Sequence, residues 1–254
     1  MAKVKYETEG RIGIITVDSP PVNALDRQVI TELSDIVDRI GDDVGVVIVT
    51  GAGEKAFVAG ADIKEFPQMK ADDGERLCLR GQRVFQKLSD LKQPVIAAVD
   101  GYALGGGLEL ALACDFRVAT KKSNLGLPET SLGVIPGYGG TQRLARLIGP
   151  GKAKQMIFSA EPLHAEEAYR VGLVEALTEK DVMEAAKEWA NKILKRGPIA
   201  VQAAKKAVNA GLETTLEEGL KLEAQQFGVA ADSEDKNEGV AAFFEKRKPY
   251  FQGK

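Results

Sequence analysis

The sequence predicts an α/β fold that gives way to helices toward its carboxyl end, and three observations predict it. Nearly all-apolar runs at Val44–Thr50 and Pro94–Val99 read as strands buried on both faces, as in a parallel sheet. Stretches of helical spacing lie between such runs, so strand and helix alternate along the first half of the chain. Beyond Gly140 the extended signals fade and helical ones follow one another.

Taken in order, Gly10–Asp18 is a strand rich in β-branched residues and is ended by Ser19-Pro20-Pro21. Asp26–Ile40 sets Val29, Ile30, Leu33, Ile36, Val37 and Ile40 on one helical face, with acids on the other. Val44–Thr50 is the next strand, Asp73–Leu91 a long helix, Pro94–Val99 another strand and Cys114–Thr120 a shorter one. Helices are then expected at Thr141–Ile148, Lys152–Phe158, Ala165–Val171, Thr178–Lys195, Pro198–Ala210, Thr215–Ala231 and Ser233–Arg247, with only Leu173–Leu177 extended among them. Thr215-Leu-Glu-Glu218 has the form of a capping box at a helix start.

Composition narrows the function. A chain of 254 residues allows one large domain or a core with an appendage. With 44% hydrophobic and 28% charged residues it is an ordinary soluble globular protein. A net charge of −3 supplies no electrostatic reason to expect nucleic acid or an anionic membrane as partner. No apolar run approaches the roughly 18 residues of a spanning helix. The amino end carries no apolar signal core, so a cytoplasmic protein is expected.

Cys78 and Cys114 form neither a disulfide framework nor a CxxC site and read as buried or partly buried thiols. His164 is the only histidine, and its polar surroundings read as a helix entry, which makes it a surface or capping residue. One histidine removes most Ser–His and Cys–His schemes and most zinc sites. Carboxylates and backbone remain as the agents of any chemistry. Gly51-Ala-Gly53-Glu-Lys-Ala56 fits the dinucleotide pattern G-x-G-x-x-A, but it runs into Phe57-Val-Ala-Gly60 rather than opening a helix, so it reads as a turn. Lys246-Arg-Lys248 reads as a solvated helix end.

Two glutamates stand out against this background. Glu109 follows Gly105-Gly106-Gly107-Leu108 and Glu129 follows Leu127-Pro128, 20 positions apart in the most apolar third of the chain. A carboxylate among Leu, Ala and Gly is costly unless it has a partner or a task. The strand Pro94–Val99 leads into the three glycines and then into a helix-forming run. The first amides of a helix lack internal acceptors and carry partial positive charge, so a ligand oxygen can rest against them. Ala56–Lys64 and Ile135–Gly140 are further small-residue stretches where amides are open to a ligand.

Together these segments resemble the enoyl-CoA hydratase/isomerase (crotonase) family, and within it the two-glutamate hydratases. The resemblance rests on Pro21-Val-Asn-Ala-Leu25, Ala59-Gly-Ala-Asp-Ile-Lys64, Ala103-Leu-Gly-Gly-Gly-Leu-Glu-Leu-Ala111, Leu127-Pro-Glu129, Ile135-Pro-Gly-Tyr-Gly-Gly-Thr-Gln-Arg-Leu144 and Phe244-Glu-Lys-Arg-Lys-Pro249, which span nearly the whole chain. It implies a crotonase-like spiral of repeated ββα units over residues 1–195. A helical region over 196–254 would then form a trimer interface, with trimers paired into hexamers. It implies an acyl-CoA thioester as substrate, with no metal and no cofactor beyond the coenzyme A of the substrate itself.

Carried over by motif position, the amides of Ala61 and Gly106 form an oxyanion hole, and Glu109 and Glu129 flank C2 and C3 of a 2-enoyl chain. Ala59, Ala61, Asp62, Ile63 and Lys64 line the coenzyme A groove, Arg27 is a phosphate contact, and Phe243 and Lys246 of a neighbouring helix touch the coenzyme. Leu108 and Tyr138 tune the fit of the acyl chain, and the Asp73–Leu91 region shapes its pocket. The implied reaction is the reversible syn addition of water to trans-2-enoyl-CoA, as in fatty-acid oxidation or related acyl-CoA metabolism. In the expected division of labour Glu129 protonates C2 while Glu109 orients and deprotonates water; the reverse division fits the same sequence. The alternative within the family is a Δ3,Δ2-enoyl-CoA isomerase, which commonly needs one carboxylate. From another class, an RNA-binding homologue of low activity is disfavoured by the acidic balance and the intact glutamate pair.

Overall fold

The computed structural model describes residues 2–63 and 68–254. Its elements fall in two compact units, Met1–Leu91 with Val95–Lys187, and Lys92–Pro94 with Glu188–Lys254.

The first unit opens on β1 (Val4–Glu9) and β2 (Ile12–Val17), an antiparallel pair, followed by α1 (Arg27–Val37). Asp26 caps α1 by accepting from the Val29 N–H at 2.9 Å. Three ββα units follow: β3 (Val46–Gly51), β4 (Ala56–Ala59) and α2 (Ala71–Ser89); β5 (Val95–Val99), β6 (Tyr102–Leu104) and α3 (Gly106–Ala113); then β7 (Phe116–Thr120), β8 (Asn124–Gly126) and α4 (Gly140–Ile148). In each unit the first strand joins one sheet and the second strand joins another. The chain continues through α5 (Pro150–Ser159), β9 (Leu163–His164), α6 (Ala165–Arg170), β10 (Ala176–Thr178) and α7 (Val182–Ile193).

The larger sheet has the order β1-β2-β3-β5-β7-β10 and is parallel from β2 onward. Its inner strands are buried on both faces, which is why Val46–Val49 and Val95–Val99 carry no polar alternation. The smaller sheet has the order β4-β6-β8-β9, with β4, β6 and β8 parallel.

The short strands β4, β6 and β8 have no counterpart among the strands expected from sequence. At three or four residues each they are too short to show a period of two. β1 also escaped notice, because its face reads as mostly polar. His164 ends β9 and precedes α6; its side chain is exposed and caps nothing. Cys78 is half-buried and Cys114 buried, both as free thiols.

The second unit is helical: α8 (Pro198–Leu212), α9 (Leu216–Ala231) and α10 (Glu234–Phe244). Thr215 forms the threonine half of its capping box by accepting from the Glu218 N–H at 3.3 Å. The α8 and α9 helices approach closely where Gly211 meets Gly219. No helix among the described residues is long and apolar enough to cross a membrane.

Candidate active site

Three parallel strands of the smaller sheet end side by side, and the residues just past their ends build the site. Register pairs Ala59 of β4 with Leu104 of β6, and Leu104 with Gly126 of β8. Ala61 therefore lies two residues beyond one strand, Gly106 two beyond its neighbour, and Glu129 three beyond the next. Sequence-distant motifs meet because the ββα units repeat.

The Ala61 amide is freed by its neighbours. Leu25 N–H donates to Gly60 O at 2.9 Å and Asp62 N–H donates to Leu25 O at 3.2 Å. Alternation along an extended chain turns the intervening Ala61 N–H the other way. It donates to no acceptor among the described residues. Gly106 opens α3, where the first N–H groups have no intrahelical acceptor. A β-carbon added to Gly106 would stand 3.8 Å from the Ala61 nitrogen, so the two open amides are close neighbours.

Asn23, quoted in a motif but given no role from sequence, turns out to anchor this geometry. Buried at φ +57°, it donates from Nδ2 to Ala52 O and Ala56 O at 2.9 Å and to Phe57 O at 3.3 Å. That ties the loop carrying Leu25 to the start of β4. Only the proline-rich, turn-forming context hinted at this in the sequence.

Glu109 sits in the first turn of α3 and is 2% exposed. Its Oε1 accepts from the N–H groups of Tyr138 at 2.8 Å and Gly140 at 2.7 Å. Burial pushes its carboxyl up to about 7; the Glu129 charge adds to this, and the amides of Gly140, Tyr138 and Gly139 oppose it. The loop Gly137–Gly140 thus has a task the sequence did not disclose: it holds the buried Glu109 carboxyl by its backbone.

Glu129 begins a single 3-10 turn, Glu129–Leu132. Burial raises its carboxyl above the usual range. Its Oε2 is buried and has no hydrogen-bond partner among the described residues. Leaving such an oxygen unsatisfied costs about 1–3 kcal/mol, a cost that a ligand proton or a bound acid proton would offset. The carboxyl group stands against Gly105: a β-carbon there would lie 2.9 Å from Glu129 Oε1, and the backbone at φ +53° would itself be strained with any side chain.

A groove that includes Ala61 is lined by Leu25, Arg27, Asp62, Leu77 and Tyr138 among others. Arg27 is exposed at the start of α1, and α2 contributes Leu77 and Arg80 to the groove. Met69 and Arg80 were missed by sequence reading, since neither belongs to a recognisable motif. The Tyr138 ring packs edge-on against Phe85, with centroids 5.6 Å apart. Leu108 is wholly buried in the hydrophobic core. Ala59 ends β4, with its N–H donated to Val22 O, and Ile63 is 49% exposed. Lys64 lies outside the described residues. Phe243 and Lys246 belong to the second unit, where both are exposed.

Comparison with known proteins follows the same lines. The enoyl-CoA hydratase/isomerase family model matches residues 7–254. A short-chain-enoyl-CoA hydratase of Clostridium acetobutylicum is 45% identical over 249 residues, covering 96% of this chain and 95% of that protein. A crotonyl-CoA hydratase of Syntrophomonas wolfei is 42% identical over 252 residues, covering 98% of this chain and 97% of its own. The crystal structure of an enoyl-CoA hydratase from Bacillus anthracis superposes with a TM-score of 0.95 at 42% identity, covering 99% of this chain and all of that one.

Proposed function

This chain belongs to the enoyl-CoA hydratase/isomerase family, and from that membership we propose that it adds water across the double bond of a 2-enoyl-CoA thioester. The observation that carries the reading is the convergence of two open amides with the buried Glu109 and the half-buried Glu129, whose Oε2 is buried and unpartnered. Addition to a conjugated thioester develops enolate charge on the carbonyl oxygen. The Ala61 and Gly106 amides receive that oxygen, and each such donor is typically worth about 10²–10³ in rate.

Water then bonds to C3 through oxygen while one proton reaches C2. Glu109, held by the Tyr138 and Gly140 amides, orients the water and takes its proton. Glu129 carries a proton on its otherwise unpaired oxygen and gives it to C2. Burial raises both carboxyl groups and the Glu129 charge raises Glu109 further, so the pair retains a proton toward neutral pH. Both glutamates are needed for this division, which favours hydration over double-bond isomerisation. The reaction calls on no metal or redox cofactor, and Arg27, Ala59, Asp62, Ile63 and Lys64 bind the coenzyme A portion.

The exposed apolar residues of α8–α10, among them Leu212, Phe227, Phe243 and Phe244, each more than 70% exposed, fit a surface covered by further copies in a trimer or hexamer. Phe243 and Lys246 would reach coenzyme A from such a neighbour. A cytoplasmic place in fatty-acid or related acyl-CoA breakdown suits this chemistry.

The test is loss of the conjugated-thioester absorbance of crotonyl-CoA. Glu129→Gln should bind the substrate with KM within a few-fold of the parent while kcat falls by about 10²–10⁴. Parental turnover in that variant would overturn the assignment.

A further inference from the structure

The helix α3 is only eight residues long, yet it carries both Gly106 and Glu109 and is buried throughout. Packing holds this helix against β4, where a β-carbon at Gly107 would meet Val58 O at 1.8 Å, and hydrogen bonds at its ends add direction to that packing. At its amino end the Gly105 N–H donates to Gly126 O at 2.9 Å and Glu109 is held by two amides, while the Gly106 amide stays open; the carboxyl end has a restraint of its own. The last carbonyls of a helix have no internal donors. Here Ala111 O, which also accepts from the Cys114 N–H at 3.2 Å, and Cys114 O just past the helix each accept from Nη1 of Arg117 at 3.3 Å.

Arg117 is itself held on every side. Its side chain is 3% exposed, its Nε donates to Leu173 O at 3.0 Å, and its Nη2 pairs with Glu175. The backbone is locked as well: Arg117 N–H donates to Glu175 Oε2 at 2.7 Å, and Glu175 N–H returns a bond to Arg117 O at 3.1 Å. One planar guanidinium thus joins the end of the catalytic helix to β7 and to the segment entering β10. Its positive charge also sits at the negative end of the helix dipole. Lysine could not reproduce this, since its single ammonium lacks the rigid fork that serves several acceptors at once.

We infer that Arg117 is a positioning residue for the reaction, acting through α3 to fix the Gly106 amide and the Glu109 carboxyl against the thioester. Gly106 lies five residues, roughly 7.5 Å, along the helix from Ala111, so an axial slip at one end is transmitted to the other. A misplacement near 1 Å at the reacting centre can cost about 10² in rate. The substrate's coenzyme portion is bound by other elements, so the loss falls on kcat rather than on KM.

This inference rests on the oxyanion-hole reading, and the parent enzyme separates the two: if the parent hydrates crotonyl-CoA, failure of the variants bears on the clamp alone. Arg117→Met and Arg117→Lys are assayed per folded molecule, with folding followed by circular dichroism well below the unfolding midpoint. For Arg117→Met, kcat should fall at least tenfold with KM within twofold, and the acid limb of the kcat/KM profile should move as Glu109 shifts against its amides. A folded Arg117→Met variant with kcat within twofold of the parent and an unmoved pH profile would overturn the proposal. Should Arg117→Met fail to fold, Arg117→Lys decides: a fivefold or greater loss of kcat at near-parental KM supports the clamp, and parental kcat refutes it.

Discussion

Glu109 illustrates how one side chain couples stability to chemistry. Its carboxyl is raised from 4.5 to about 7, first by burial and then by the Glu129 charge. The folded state therefore holds this proton more tightly than the unfolded state does. The stability this one group contributes is thus fullest below about pH 4.5 and is lost as pH rises toward 7, by on the order of 3 kcal/mol. Glu109→Gln should flatten that part of the profile, as read from urea midpoints at pH 5 and pH 8. An unchanged difference between the two midpoints would show that other groups govern it. The sequence exposed both glutamates as carboxylates in apolar surroundings. It could not show that the Tyr138 and Gly140 amides hold one while the other keeps an unsatisfied oxygen, since those contacts cross 31 and fewer positions of chain.

At the scale of elements, glycine shows how context sets the sign of a substitution. Gly107 lies in α3, where alanine is intrinsically better by about 1 kcal/mol. Yet a β-carbon there would meet Val58 O of β4 at 1.8 Å, backbone that cannot step aside. Gly107→Ala should therefore destabilise by about 3 kcal/mol or more, as α3 is forced off the sheet. Gly228 in α9 has open space where a β-carbon would go, and Gly228→Ala should raise the melting temperature slightly. Equal effects at the two sites would sink the packing argument. The long elements α1, α2, β3 and β5 were legible because apolar spacing repeats often enough to count. The strands β4, β6 and β8 were not, although they aim the site, because three or four residues show no period and their pairing is non-local.

For the whole molecule, the first unit holds nearly all of the buried apolar core, while the helices of the second leave most of their large apolar residues in contact with solvent. The helices α8 and α9 contribute one buried residue between them, Ala203, whereas Leu212, Leu216 and Phe227 are at least 75% exposed. That imbalance is costly for an isolated chain and is removed if other copies cover it. Phe227→Lys should shift the sedimenting species toward a smaller assembly without altering the far-ultraviolet circular dichroism of the fold. Sedimentation identical to the parent would mean that α9 faces solvent in the assembly.

Composition and short-range periodicity disclose the class of fold, the course of the long elements, the helical carboxyl-terminal region and the two glutamates with their glycine-rich companions. These follow from local composition and from periods short enough to read along one chain. Which amides are left open, which backbone groups hold Glu109, and how Asn23 and Arg117 brace the segments around them emerge from long-range packing alone. Each depends on register between strands and on contacts between residues far apart in sequence, where a hydrogen bond forms or fails through geometry that no linear pattern records.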